Sequence, residues 1–206
     1  MRSDVLAKAL DDPCSTPARI LDAAEEVFAE QGFAAASTRE IARRARVPFG
    51  ALHYHWGSKE QLHEAVMARL VDWIRDTVLR NLLPGGTPGE IIDHLTDVFL
   101  DALVARRHAA RLLYRHVLEP IDPRVEQMFA QLGSFGEGIL AEHGIAARID
   151  PQALLLIFPN GFLAAVVDEP GQKLALGSSI YSSRVARERL RAELRRIGRA
   201  VLGVGS

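Results

Sequence analysis

The chain has 206 residues, 48% of them apolar and 25% charged, with a formal net charge of −1 at pH 7. That balance suits one large domain, or a small domain attached to a larger one, able to bury a core, and it makes any basic surface a local one rather than a property of the whole chain. The single cysteine, Cys14, excludes an intramolecular disulfide and points to a reducing, cytoplasmic setting.

The N-terminal stretch MRSDVLAKALDDP lacks the apolar core of a signal peptide. Helical punctuation follows. Thr16-Pro17 reads as a capping residue followed by a proline at the first helical position, where its missing amide costs nothing. Ile20, Ala24, Val27 and Phe28 recur at helical spacing after it, and Gly32 reads as the stop.

Residues 37–56, STREIARRARVPFGALHYHW, predict two short helices around a tight turn. The first runs from Ser37 to about Ala45 and opens with a capping box, Ser37-x-x-Glu40. The second opens at Pro48. Ile41, Ala42, Ala45 and Val47 should face the preceding helix, with Leu52 and Trp56 anchoring the second. This is helix-turn-helix organisation. Between Ser37 and Lys59 stand five cations, Arg39, Arg43, Arg44, Arg46 and Lys59, against Glu40 alone, whereas the preceding helix carries Asp22, Glu25, Glu26 and Glu30. A basic segment in a neutral protein is the footprint of a surface that meets phosphates, and the helix starts at Thr38 and Lys59 offer backbone amides to the same groups. The plainer reading is a solvated charged face on a helical hairpin.

A long helix is predicted from Ser58 to about Leu82, opened by a second capping box, Ser58-x-x-Gln61. Its apolar stripe is Leu62, Val66, Leu70, Trp73, Ile74 and Val78, and Pro84-Gly85-Gly86 ends it. Thr87-Pro88, with Glu90 completing a third box, Asp122-Pro123 and Asp150-Pro151 open further helices, and Gly144 closes one. Asp150 to about Asp168 reads as a nearly all-apolar helix, buried on most sides, and its longest apolar stretch, Ala153 to Val167, is broken by Pro159 and Asn160 and is too short to span a bilayer. The last helix, roughly Ser183 to Leu202, carries seven arginines and a stripe of Leu190, Leu194, Ile197 and Val201. No sustained alternation and no hairpin signal interrupt this pattern. The fold class is all-α, with roughly nine helices, short ones up to residue 57 and longer, more apolar ones over 58–206.

Other constellations are weaker. His53-x-His55, with His63 nearby, has two histidines on different helix faces and no Cys or acidic partner at ligand spacing, so neither a metal nor another cofactor is expected. No Walker loop, G-x-S-x-G or H-E-x-x-H motif is present, and nothing argues for an enzyme. The basic last helix fits a membrane-surface protein in one reading; in the other its stripe is core or interface and its arginines face water.

Residues 19–62, RILDAAEEVFAEQGFAAASTREIARRARVPFGALHYHWGSKEQL, resemble the DNA-binding region of TetR-family regulators, about a fifth of the chain. The resemblance implies a three-helix DNA-binding domain over residues 1–57 and a helical bundle over 58–206 for ligand binding and dimerisation. It implies phosphate contacts from Thr38, Arg39 and Lys59, and a recognition helix whose Pro48, Phe49, Gly50 and Ala51 enter the major groove beside His53, Tyr54 and His55. Arg46 stands where the family usually has the glycine of the turn, His53 where it usually has tyrosine, and Phe49 where a basic or polar residue is common. An apolar ring at 49 suits a thymine methyl.

The resemblance further implies a homodimer through the last two helices, operator DNA as partner, and a small-molecule effector inside the bundle. Trp73, His94, Phe99, Arg111, Tyr114, Phe129, Phe158, Asn160 and Phe162 are the candidates to line its pocket, though as individual residues each also reads as core. The expectation is a repressor released by its effector, with a ligand-independent regulator or an activator as the alternative.

Overall fold

A computed structural model of the chain describes residues 3–82, 86–118, 123–142 and 160–201. The described residues are helical almost throughout, with no strand among them. In chain order the helices are α1 (Ser3–Asp11), α2 (Thr16–Ala35), α3 (Thr38–Ala45), α4 (Phe49–Trp56), α5 (Lys59–Asn81), α6 (Pro88–Ala105), α7 (Arg107–Leu118) and α8 (Pro123–Glu142). Residues 160–167 form α9, followed by α10 (Glu169–Leu176) and α11 (Arg184–Val201). The chain divides into two compact units, Met1–Asp72 with Arg111–Met128, and Trp73–Ala110 with Phe129–Ser206. The expected boundary at residue 57 therefore falls inside the first unit, and α5 contributes to both.

In the first unit α2 is the central helix. Its Ile20, Leu21, Ala24, Val27 and Phe28 are fully buried, together with Ile41 of α3, Leu52 and Trp56 of α4, and Leu62, Val66 and Met67 of α5. Gly32 breaks α2 at φ 77°, ψ 166°, a conformation open to glycine, so the last turn departs from the helix axis at the residue the sequence marked as a stop. The start is corrected by one residue: Ser15 is the cap, accepting from the Ala18 amide at 3.3 Å, and Thr16 is already helical. Helix α1, unforeseen in the sequence, packs on α2 through Leu6 and Ala9.

Two long-range clamps tie further elements to α2 within this unit. Arg69 of α5, largely buried, bridges Asp22 and Glu25 at 2.6 Å each. Arg115 of α7 donates to the carbonyls of Ala29 (3.1 Å) and Glu30 (3.2 Å), groups whose own helical partners are removed by the break at Gly32.

The second unit contains an antiparallel pair, α6 and α11. Helix α6 begins with the full capping box expected at Thr87 and Glu90. Along it Asp93, Asp97 and Asp101 recur every four residues, opposite Arg199, Arg195 and Arg191 of α11. Arg199 forks onto Asp93 (3.0 and 2.5 Å), Arg195 forks onto Asp97 (Nε to Oδ1, 2.8 Å), and Arg191 reaches Asp101 at 2.7 Å. Three of the seven arginines thus turn toward a neighbouring helix rather than to water, which corrects the solvated-face expectation and removes the charge a membrane-surface helix would need. Among the described residues no helix is long and apolar enough to cross a membrane. Buried Gln172 closes the region between α9 and α11, donating to the carbonyls of Ala165 and Val166 (2.8 Å each) and accepting from the Ile180 amide (3.0 Å).

Candidate nucleic-acid interface

The α3–turn–α4 segment is built from its turn outward. The Val47 amide reaches back to the Ala42 carbonyl (3.1 Å) and the Arg46 amide to the Arg43 carbonyl (3.1 Å), the pattern that closes a helix through a left-handed residue. That residue is Arg46, at φ 55°, ψ 47°, so the position where glycine is usual does need the left-handed region. Arg19 of α2 donates to the carbonyls of Ala45 (2.5 Å) and Arg46 (2.7 Å), pinning the turn from outside. Pro48, at ψ 142°, then caps α4. Arg19 carried no sequence signal, since its partners are main-chain atoms 26 and 27 residues away.

Leu52 and Trp56 are buried beneath α4, leaving Phe49, Gly50, His53 and Tyr54 on its exposed face. Tyr54 is 76% exposed and Phe49 43%, unusual for large rings. A Cβ on Gly50 would meet nothing within 4 Å, so this face is open to a close approach by another backbone. The Arg39 guanidinium, from the first turn of α3, lies 6.0 Å over the Phe49 ring, and His53 meets the same ring edge-on at 4.8 Å and 84°. The His53 Nδ1 is 2.7 Å from the Gly57 carbonyl. Thr38 and Ala51 are half-buried beside this face, Pro48 is exposed, and half-buried His55 packs against Tyr54 at 5.0 Å.

The charge is smaller than its sequence count. Glu40 does not complete a capping box; Ser37 makes no side-chain cap. Its carboxylate instead takes Arg43 through two bonds (2.8 and 2.7 Å) and Arg44 at 2.9 Å, while Arg44 also reaches Glu30 at 2.6 Å. The Arg43 and Arg44 hydrogen bonds hold the Glu40 carboxyl at about 2, well below the usual carboxylate range. A doubly bonded guanidinium pair outcompetes a backbone amide for one carboxylate because both partners are charged. Arg39 and Arg46 keep exposed guanidinium groups.

The Lys59 ammonium turns inward, donating to the carbonyls of Phe33 (2.9 Å), Ala34 (3.3 Å) and Ala36 (3.3 Å) and lying 4.6 Å over the Phe33 ring. Its three protons all serve the end of α2. His63 is buried between Phe28 and Phe33, with ring centres 5.0 and 4.9 Å away, far in character from the open His53. Among the described residues no group of three His, Cys, Asp or Glu side chains is arranged to hold a metal.

The effector-pocket candidates divide between the two units. Trp73, under the Arg106 guanidinium at 4.7 Å, belongs to the second unit with half-buried His94, Phe99, Phe129 and Asn160 and buried Phe162. Arg111 and Tyr114, both half-buried on α7, belong to the first. Phe158 lies outside the described residues.

Residues 20–66 match the sequence signature of the family described as bacterial regulatory proteins, tetR family. An HTH-type transcriptional repressor of Mycobacterium tuberculosis is 42% identical over 80 residues, 39% of this chain and 40% of the repressor. The HTH-type transcriptional repressor KstR2 of Mycolicibacterium smegmatis is 31% identical over 105 residues, half of each chain. The match thus spans about half or less of the length of these curated relatives. A solved regulatory protein of the tetR family from Rhodococcus superposes with a TM-score of 0.72 over 93% of this chain and 99% of its own, at 19% identity. The fold is therefore shared along nearly the whole chain, while the sequence likeness concentrates on α2 to α5.

Proposed function

Given a chain that carries a TetR-family DNA-binding domain, we propose that it is a homodimeric transcriptional regulator that binds a pseudo-palindromic operator and leaves it when a small molecule binds its second unit. The observation that carries this reading is the open face of α4: two solvent-exposed rings, a glycine that admits close approach and an arginine over one ring, with the segment tied to α2 by Arg19 at the α3 turn. Phe49 is the thymine reader on this face, and Pro48, Gly50, Ala51, Tyr54 and His55 frame it in the groove. Thr38, Arg39 and Lys59 serve the backbone side, Lys59 by fixing the end of α2 that lies beside the helix starts.

Dimerisation through the last helices is supported by α11, whose Ile197 and Val201 are 47 and 42% exposed and fall on the helix face away from its arginine ladder. A two-fold dimer sets its recognition helices about one DNA turn, roughly 34 Å, apart. A partly apolar effector is supported by the aromatic candidates Trp73, Phe99, Phe129 and Phe162, which all belong to the second unit. Repression is supported by the two mycobacterial relatives, both repressors, and the setting is the cytoplasm, where the DNA is.

Selection from random duplex DNA at a stated moderate salt tests the reading. Enrichment of a pseudo-palindrome with half-sites one turn apart supports it. Salt-sensitive binding with no enriched sequence withdraws it, since phosphate contact alone gives affinity without choice.

A further inference from the structure

We propose that His53 is a specificity-determining residue that reads DNA as a hydrogen-bond acceptor, taking an exocyclic amino group of adenine or cytosine in the major groove. This rests on the reading of α4 as the recognition helix and names what one of its residues can recognise.

The inference comes from the hydrogen bond that the ring makes to the backbone. The His53 Nδ1 lies 2.7 Å from the carbonyl oxygen of Gly57. A carbonyl accepts and never donates, so the proton must sit on Nδ1, and the neutral ring then presents a bare lone pair at Nε2. The backbone supports this arrangement from both sides. Gly57 stands at φ 75°, ψ −87°, a backbone conformation that side chains rarely adopt, and returns its own amide to the His53 carbonyl at 3.0 Å. The carbonyl is thus aimed at the imidazole by a turn that glycine adopts without strain. On its other edge the ring rests against Phe49 at 84°. Held at two points, the imidazole is fixed in tautomer and in plane.

The chemistry of the groove then narrows the partner. The hydrogen-bond donors that B-DNA shows in its major groove are the N6 amino group of adenine and the N4 amino group of cytosine. Phosphate oxygens, guanine O6 and N7 and thymine O4 only accept, so none of them bonds to a neutral His53 in this tautomer. A tyrosine hydroxyl, usual at this place in the family, both donates and accepts and makes no such choice. Phe49, four residues earlier on the same exposed face, is suited to a thymine methyl. The pair predicts a step in which a thymine neighbours a base pair presenting its amino group to His53.

The experiment uses the full-length protein and the selected operator at about pH 8, where imidazoles are neutral. Each adenine is replaced in turn by purine and each cytosine by 2-pyrimidinone, which delete only the exocyclic amino group. Wild-type protein should lose about 3- to 10-fold in affinity at one position per half-site, the worth of one hydrogen bond. His53→Ala should show no loss at that position beyond the background that both proteins share through weakened base pairing. His53→Gln, which keeps an acceptor, should retain part of the sensitivity. Equal losses in wild type and His53→Ala at every position overturn the proposal while leaving the regulator reading intact. So does coupling of His53 to a guanine or thymine carbonyl, which would make it a donor. Selection that yields no enriched sequence overturns both.

Discussion

A side chain persists in the left-handed region only while its surroundings hold the backbone there, and Arg46 is held by its own turn and by Arg19. The strain is about 1 kcal/mol relative to glycine. Arg46→Gly should therefore raise the stability of the first unit by about that amount, read as a shift in the urea midpoint with an unchanged slope. Glu40 is the second single residue that sets the character of the interface. It bonds both Arg43 and Arg44, but Arg44 also holds Glu30, so Glu40→Gln should release Arg43 and steepen the dependence of log K on log salt by about 1. Because its folded value lies near 2, below the ordinary 4.5, the stability Glu40 contributes is present above the ordinary range and is lost as pH falls from about 4.5 toward 2. Acid titration of the wild type against Glu40→Gln should show the difference in that window and none at neutral pH beyond a constant offset. The sequence displayed both residues but not their partners: a count of charges cannot show that one carboxylate holds two guanidinium groups.

Helices were legible wherever their signals were local. The stop at Gly32, the box at Thr87 and Glu90, and the buried stripe of Ile41, Ala42 and Ala45 follow from rules that reach no further than four residues. The box at Ser37 failed because Arg43 and Arg44, also within a turn, compete for the same carboxylate. Contacts made across elements were not legible, and the ladder between α6 and α11 is the clearest case. Asp97 sits at its centre; burial pushes its carboxyl up, but hydrogen bonds from Arg195 and Arg191 outweigh this and draw it below the ordinary aspartate value. Its contribution is thus present above about pH 4 and lost as pH falls below that. Asp97→Asn should destabilise the second unit by about 1 kcal/mol, the upper end for partly exposed pairs, and the loss should shrink in high salt. Thermal unfolding at two ionic strengths measures both.

For the molecule as a whole, the proposed pseudo-palindromic operator calls for two copies, and the exposed apolar residues of α11 are the proposed place for the second. Placing a charge there should separate the copies without touching the DNA-reading face. Ile197→Asp, at a position 47% exposed within the chain, should leave the helical content unchanged. It should convert the dimer to a monomer in sedimentation and lower operator affinity by at least about 10-fold, since a buried unpaired charge disfavours association strongly. A variant that stays dimeric would move the interface elsewhere. The helix-turn-helix organisation was readable at this scale because the spacing of α2 to α4 and the residue types of α4 agree together. The pocket was not, because aromatic residues at helical spacing look the same whether they line a cavity or fill a core, and those named here divide between two units.

The even spacing of the ladder has a topological cost. Asp93, Asp97 and Asp101 oppose Arg199, Arg195 and Arg191 at four-residue intervals, so sliding α11 by one helical turn, about 5.4 Å, would re-form two of the three pairs. Charge alone therefore fixes the pairing direction but leaves its alignment nearly degenerate, like a comb that meshes one tooth over. What can distinguish one alignment is the row of buried residues on the two helices, Ile91, Thr96, Leu100 and Leu103 on α6 and Ala186, Leu194 and Gly198 on α11, which differ in size and, on α6, do not repeat every four residues. Enlarging Gly198 would thus shift the alignment rather than merely loosen it, with the arginines ready to catch the helix one step along.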